Sequence, residues 1–200
     1  MSQTVRRESA PNYPHGRNTI YVFIDAFNLW QAEMTKGKFL DYVKTIGYIK
    51  SLYDGTTVSV FYYAVYPADS TRTYSVAGKH KYLTFLKKGL GFIIRKKPLK
   101  RITVVLKRAS TIQEKGSMDV EMTIDAVHNC GKLDTAVFFT GDSDFLALVA
   151  YLRERGKKVY VCSSRNNISR ELKEGADGYV DLLDVPEDIW GRPLTPRVHA

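Results

Sequence analysis

No apolar run in the 200 residues approaches the roughly 18 that a membrane-crossing helix needs. No signal-peptide core follows the first residues. Arg6 and Arg7 have the form of a twin-arginine leader, but the polar stretch from Glu8 to Asn18, with Pro11, Pro14 and Gly16, does not fit one. A membrane partner is therefore not expected. Cysteine is scarce: Cys130 and Cys162 are the only two, one in a helical pattern and one ending a strand pattern, as expected for free thiols in a reducing, cytoplasmic setting. Histidine does not recur at metal-ligand spacing, and His80 and His128 fall in helical patterns where surface or packing roles suit them. Internal repeats and low-complexity tracts are missing too. The most informative absence is local: from Ser70 to Gln113 there is neither Asp nor Glu. That stretch carries Arg72, Lys79, Lys81, Lys87, Lys88, Arg95, Lys96, Lys97, Lys100, Arg101, Lys107 and Arg108, 12 of the 30 basic residues. The other 18 face all 21 acidic ones, so the net charge of +9 comes from one segment. Such one-sidedness suits a polyanion partner, against the plainer reading of a well-solvated surface.

What is present reads as one α/β domain. A hydrophobic share of 44% and a charged share of 26% are ordinary for a globular chain of this length. Residues 1–18 lack periodicity and read as a disordered tail, 19–185 as the domain, and 186–200 as a C-terminal extension. Residues 19–27 (TIYVFIDAF), 57–67 (TVSVFYYAVYP), 135–141 (TAVFFTG) and 157–164 (KKVYVCSS) are near-continuous apolar or β-branched runs, the pattern of strands buried on both faces. Helical spacing appears over 38–55, over the basic stretch 72–91, over 117–133 with Ser117 as N-cap, over 144–156 and over 168–176. Residues 92–98 and 101–109 read as two short strands or a strand pair, followed by a polar loop, and 178–184 as a last short strand. Alternation of this kind predicts a parallel sheet covered by helices on both sides.

In an open parallel sheet the ligand site lies beyond the carboxyl ends of the strands. Asp25 ends the first strand, with Asn28 just past it. Asp142 and Asp144 follow another strand, and Asp119 falls in the first turn of the helix before that strand. If the two strands are neighbours, four carboxylates meet at one pocket. Oxygen ligands without His or Cys suit Mg²⁺ or Mn²⁺ rather than zinc, and such an ion activates water and offsets charge on a scissile phosphate. Each acid also has a plainer use: Asp25, Asp142 or Asp144 as a cap, Asp119 as a partner of the helix dipole. Asp125 falls on another helix face, open to solvent or to pairing with a basic side chain. Ser143 and Thr140 suit hydrogen bonding to a carboxylate or phosphate, or capping.

The blocks FIDAFNLW, KGSMDVEMTIDA, FFTGDSDFLALV and SSRNNISRELKEGADGYVDL together resemble the NYN domain, in the LabA-like branch of the PIN-like nucleases. The likeness runs from about Ile20 to Leu183 in the family's order. It implies a Rossmann-like, PIN-like three-layer sandwich with a mainly parallel sheet of strand order 3-2-1-4-5, and a metal-dependent ribonuclease centre. The family's acidic positions carry over as Asp25, Asp119, Asp142 and Asp144, with Asn28, Ser143 and Asp125 in support. Ala26 stands where the family more often has glycine. The expected enzyme is a Mg²⁺- or Mn²⁺-dependent nuclease acting on nucleic acid, RNA before DNA. Its backbone would be held by Arg72, Lys79, Lys81, Lys87, Lys88, Arg95, Lys96, Lys97, Lys100, Arg101 and Lys115. Trp30, Tyr62, Tyr63 and Tyr66 are candidates for base stacking or for the core.

The principal rival is a regulatory module of the same fold that binds nucleic acid without cutting it; a homodimer fits either. A D-x-D glycosyltransferase would need more chain for its acceptor. A haloacid-dehalogenase phosphatase would need a second aspartate where Phe27 stands.

Overall fold

A computed structural model describes residues 18–67, 77–106 and 109–194; the expected tail up to Arg17, together with Arg72, Lys107 and Arg108, lies outside them. Six strands form the central sheet: β1 (Asn18–Asp25), β3 (Gly55–Tyr66), β4 (Ile93–Pro98), β7 (Thr135–Phe139), β8 (Lys158–Ser163) and β9 (Gly178–Asp181). Their order is β4-β3-β1-β7-β8-β9, and every pairing is parallel. Counted within the sheet, this is 3-2-1-4-5-6, the expected order extended by one edge strand. Helices α1 (Ala26–Lys36), α2 (Tyr42–Leu52) and α3 (Ala77–Gly89) supply Leu29, Ile49 and Leu86 to a core on one face. Helices α4 (Asp119–His128), α5 (Leu146–Glu154) and α6 (Arg170–Gly175) supply Met122, Leu152 and Leu172 to a second core on the other.

The two-residue period of a strand decides which side each residue serves. Along β1, Ile20, Val22 and Ile24 join the first core and Phe23 the second, so Asp25 follows Phe23 toward the α4 side. Phe23 is in register with Phe61 on β3 and Phe138 on β7. The three rings stack in a row, with centroids 5.3 and 4.9 Å apart. Such pairs contribute about 0.5–1.5 kcal/mol each beyond their burial, and here they fix the register of the strands that end at the acids.

Four segments differ from expectation. Residues 26–36 form α1, which periodicity does not reveal, and Gly37 closes it in the left-handed conformation (φ 74°). Lys38–Leu40 is a strand, β2, rather than the start of a helix; it pairs antiparallel with β10 (Trp190–Pro193). The expected polar loop after residue 109 is largely a strand as well: β6 (Ala109–Lys115) pairs with β5 (Lys100–Leu106) in an antiparallel hairpin. Met118, not Ser117, occupies the N-cap of α4, without a capping side-chain bond. Both cysteines are buried and unbridged. Among the described residues no helix is long and apolar enough to cross a membrane.

Candidate metal centre and cleft

A cleft of about 380 Å³ opens at the carboxyl ends of β1, β3 and β7, where the chain crossovers change direction on either side of β1. Asp25, Phe27, Asn28 and Gln31 line it from the start of α1, and Tyr63 and Val65 from β3. Gly116 to Asp119 line it ahead of α4, and Gly141, Asp142 and Asn167 complete it.

Asp25 caps α1: one carboxylate oxygen accepts from the Phe27 N–H at 2.9 Å, the other from Asn28 Nδ2 at 2.5 Å. Burial raises its carboxyl above the ordinary value, the Asn28 and Phe27 hydrogen bonds oppose this, and neighbouring Asp119 adds to the rise. Asn28 is the clamp of the site. Its Oδ1 accepts from the Gly141 N–H at 3.1 Å and from Asn167 Nδ2 at 2.7 Å, tying the first turn of α1 to the chain leaving β7 and β8. Gly141 must be glycine for this closeness, since a Cβ there would lie 2.1 Å from the Asn167 carbonyl oxygen.

Asp142 turns the chain after β7 into a short 3-10 turn (Ser143–Phe145), accepting from the Asp144 N–H at 3.0 Å. Thr140, fully buried, accepts from the Asp142 N–H through its hydroxyl at 3.3 Å. Asp119 arrives from the first turn of α4. One carboxylate oxygen from each of Asp119, Asp142 and Asp144 lies within 4.8 Å of the others, a spread suited to one cation. Among the described residues no lysine or arginine forms an ion pair with any of the three. Asp25 shares the cleft with Asp119 and Asp142 but stands outside this group of three. Ser143 is exposed between the two acids of its turn.

Asp125 lies elsewhere. It is buried and paired: Arg95 on β4 donates two bonds of 2.8 Å to it and Tyr63 Oη a third of 3.0 Å. Burial alone would raise its pKa, but the Arg95 and Tyr63 bonds outweigh that and hold it below the ordinary value. Arg95 is thereby committed to the protein, and Lys97 pairs with Glu121 on α4 at 2.7 Å. Lys79 donates to the Val65 carbonyl, and Lys96 stands 5.7 Å from the Tyr66 ring and 3.3 Å from His80 Nδ1. Lys81, Lys87, Lys88, Lys100 and Lys115 are exposed, Lys115 next to Gly116 of the cleft. Arg101 has only its backbone among the described residues. Tyr62 and Tyr63 are core residues, Tyr66 is half-buried, and Trp30 tilts against Phe39.

Three residues of the cleft, Phe27, Gln31 and Asn167, are not singled out by sequence pattern. The first two sit on a helix that periodicity does not reveal. Asn167 follows β8, the next strand end along the rim, and that position is the signal that points to it.

A doubly wound, PIN-like α/β fold with an acidic cluster at its switch point defines the class. Residues 19–183 match the NYN domain, and the chain belongs to that family. It is 27% identical over 166 residues to Low amplitude and bright protein LabA of Synechococcus elongatus, covering 82% of this chain and 83% of that protein. It is 42% identical over 70 residues to an uncharacterised protein of Methanocaldococcus jannaschii, a stretch of 34% of this chain and 29% of that one. The crystal structure of a Vibrio parahaemolyticus protein of unknown function superposes with a TM-score of 0.65 at 23% identity, over 89% of this chain and 99% of that chain. That likeness is one of fold.

Proposed function

We propose that this protein is a divalent-cation-dependent ribonuclease that cuts phosphodiester bonds within a strand, with Asp25, Asp119, Asp142 and Asp144 as its centre. The observation that supports this most is the convergence of Asp119, Asp142 and Asp144 within 4.8 Å, in a cleft, with no ion-pair partner among the described residues. Clustered carboxylates repel one another, so an uncompensated group of this kind destabilises the fold unless a cation or proton joins it. The donors are all oxygen, which fits Mg²⁺ or Mn²⁺ and disfavours zinc. An ion there supplies a Lewis acid that offsets phosphate charge and makes water a better nucleophile. Asn28 fixes the orientation of Asp25, and the Ser143 hydroxyl is available to a phosphate oxygen. Lys100 and Lys115 attract the backbone without reading sequence. Family membership supports RNA over DNA.

The test is cleavage of end-labelled single-stranded RNA and DNA with Mg²⁺, Mn²⁺ or EDTA, comparing wild type with Asp142→Asn. We expect metal-dependent cutting of RNA by wild type, abolished by the substitution, with binding unchanged or tighter. Salt-sensitive binding by both proteins with cutting by neither would leave a nucleic-acid-binding module in place of the enzyme.

A further inference from the structure

Phe27 plays no part in that chemistry, yet it lines the cleft between Asp25 and Asn28 and is 63% exposed. Burying a phenylalanine side chain stabilises a fold, and this one forgoes that gain at the rim of the site. Among the described residues its ring pairs with no other aromatic ring. Its stem is fixed, because its own N–H is the donor that Asp25 accepts at 2.9 Å. Gln31 follows at i+4, on the same side of α1, and also lines the cleft. Asn28, between them, already commits its amide to Asp25, Gly141 and Asn167. The polar group left to meet a ligand on this side is therefore the Gln31 amide.

We infer that Phe27 and Gln31 form a nucleobase subsite: an unpaired base of the bound strand stacks on the Phe27 ring and presents its edge to the Gln31 amide. This deepens the nuclease reading and rests on the polynucleotide binding it assumes. Charge favours that occupant, since exposed Lys115 adjoins Gly116 of the same cleft and Lys100 is its cross-strand neighbour. A base stacked within a duplex has no open face, so the substrate class is single-stranded nucleic acid, or a loop or end with a splayed base. Every base has a π-face, so the platform tolerates sequence, and any preference falls to Gln31.

The experiment measures binding rather than cutting, in the Asp142→Asn background with Mg²⁺. Single-stranded RNA and DNA carrying one 2-aminopurine are titrated by anisotropy and base fluorescence with Phe27 intact, Phe27→Ala, Phe27→Leu and Phe27→Trp. Removing a stacked aromatic typically weakens binding about tenfold. We expect that weakening, and disappearance of fluorescence quenching, for the Ala and Leu substitutions, and retention of both for Trp. A strand carrying abasic sites gives the ring nothing to stack on, and there we expect Phe27→Ala to bind as tightly as the protein with Phe27 intact. Duplex binding is likewise expected to ignore Phe27→Ala. The subsite is overturned if Phe27→Leu binds intact strands as well as phenylalanine does. It is also overturned if Phe27→Ala weakens binding of abasic strands equally, the mark of a merely apolar docking face along Phe27, Trp30 and Met34. Absence of polynucleotide binding altogether overturns it too. Quenching that depends on Phe27, where the protein with Asp142 intact never cuts, would sustain the subsite while removing the enzyme.

Discussion

Glu33 is a carboxylic acid placed where ionisation is costly. It lies on α1, 7% exposed, with one oxygen accepting from the Leu40 N–H at 2.9 Å, and it faces the hydroxyl-bearing rings of Tyr42, Tyr62 and Tyr82. Burial pushes its carboxyl up to about 7, against the pull of the Leu40 hydrogen bond. A folded-state pKa above the unfolded one means that the native protein binds this proton more tightly. The resulting stability is fully present below the unfolded value of 4.5 and is lost as pH rises through about 7. The loss amounts to about 3–4 kcal/mol at most, at roughly 1.36 kcal/mol for each unit of displacement. Glu33→Gln keeps an acceptor for Leu40 and removes the charge. We expect the variant to match wild type near pH 4 and to melt several degrees higher at about pH 8.5. Parallel pH profiles of melting temperature for the two proteins would show that Glu33 is not the titrating group.

At the scale of elements, β4 and α4 are joined by two ion pairs of unequal worth. Arg95–Asp125 is bidentate, with the carboxylate buried and joined by Tyr63, whereas Lys97–Glu121 is solvated on both sides. Removing a charged hydrogen-bond partner from a buried site costs about 1.5–3 kcal/mol, while an exposed pair contributes less than about 1. We therefore expect Asp125→Asn to lower stability in urea melts by about 2 kcal/mol and Lys97→Ala to change it little. Asp125→Asn that abolished cutting at unchanged stability would instead put Asp125 in the catalytic centre. The same contrast shows what the sequence could reveal. Strands such as β1 and β7 are legible because burial on both faces leaves an unbroken apolar run. α1 is not, because its buried Leu29 and Ala32 alternate with exposed Phe27, Trp30 and Met34. β2 escapes notice because its pairing partner, β10, lies at the far end of the domain sequence, and β6 because its hairpin stands off the central sheet. Asp25, Asp142 and Asp144 could be placed from strand ends, and Asp119 from the first turn of the helix before β7. The Asn28–Gly141–Asn167 clamp could not, since it depends on how closely two turns approach.

For the whole molecule, charge is arranged along the sheet. The acid-free segment supplies α3, edge strand β4 and β5, while at the other edge Asp177, Asp181 and Asp184 pair with Arg153, Lys158 and Arg165. Lysines on β4 also guard an exposed strand edge against pairing with another chain. Lys100 and Lys115 sit directly opposite each other across the hairpin, both exposed, where like charges destabilise a strand pair. Stability alone gives no reason for that arrangement; a polyanion entering the neighbouring cleft does. Replacing both by alanine is expected to leave melting temperature unchanged or higher while weakening binding of single-stranded nucleic acid. Each phosphate deprived of its lysine flattens the plot of log affinity against log salt by about 0.7 for a single strand, so the double variant should be flatter by about 1.4. Lys132→Ala, at the amino end of β7 and away from the cleft, serves as the control and should leave the slope intact. Equal slopes for wild type and the double variant would mean that these lysines repel each other without serving the strand.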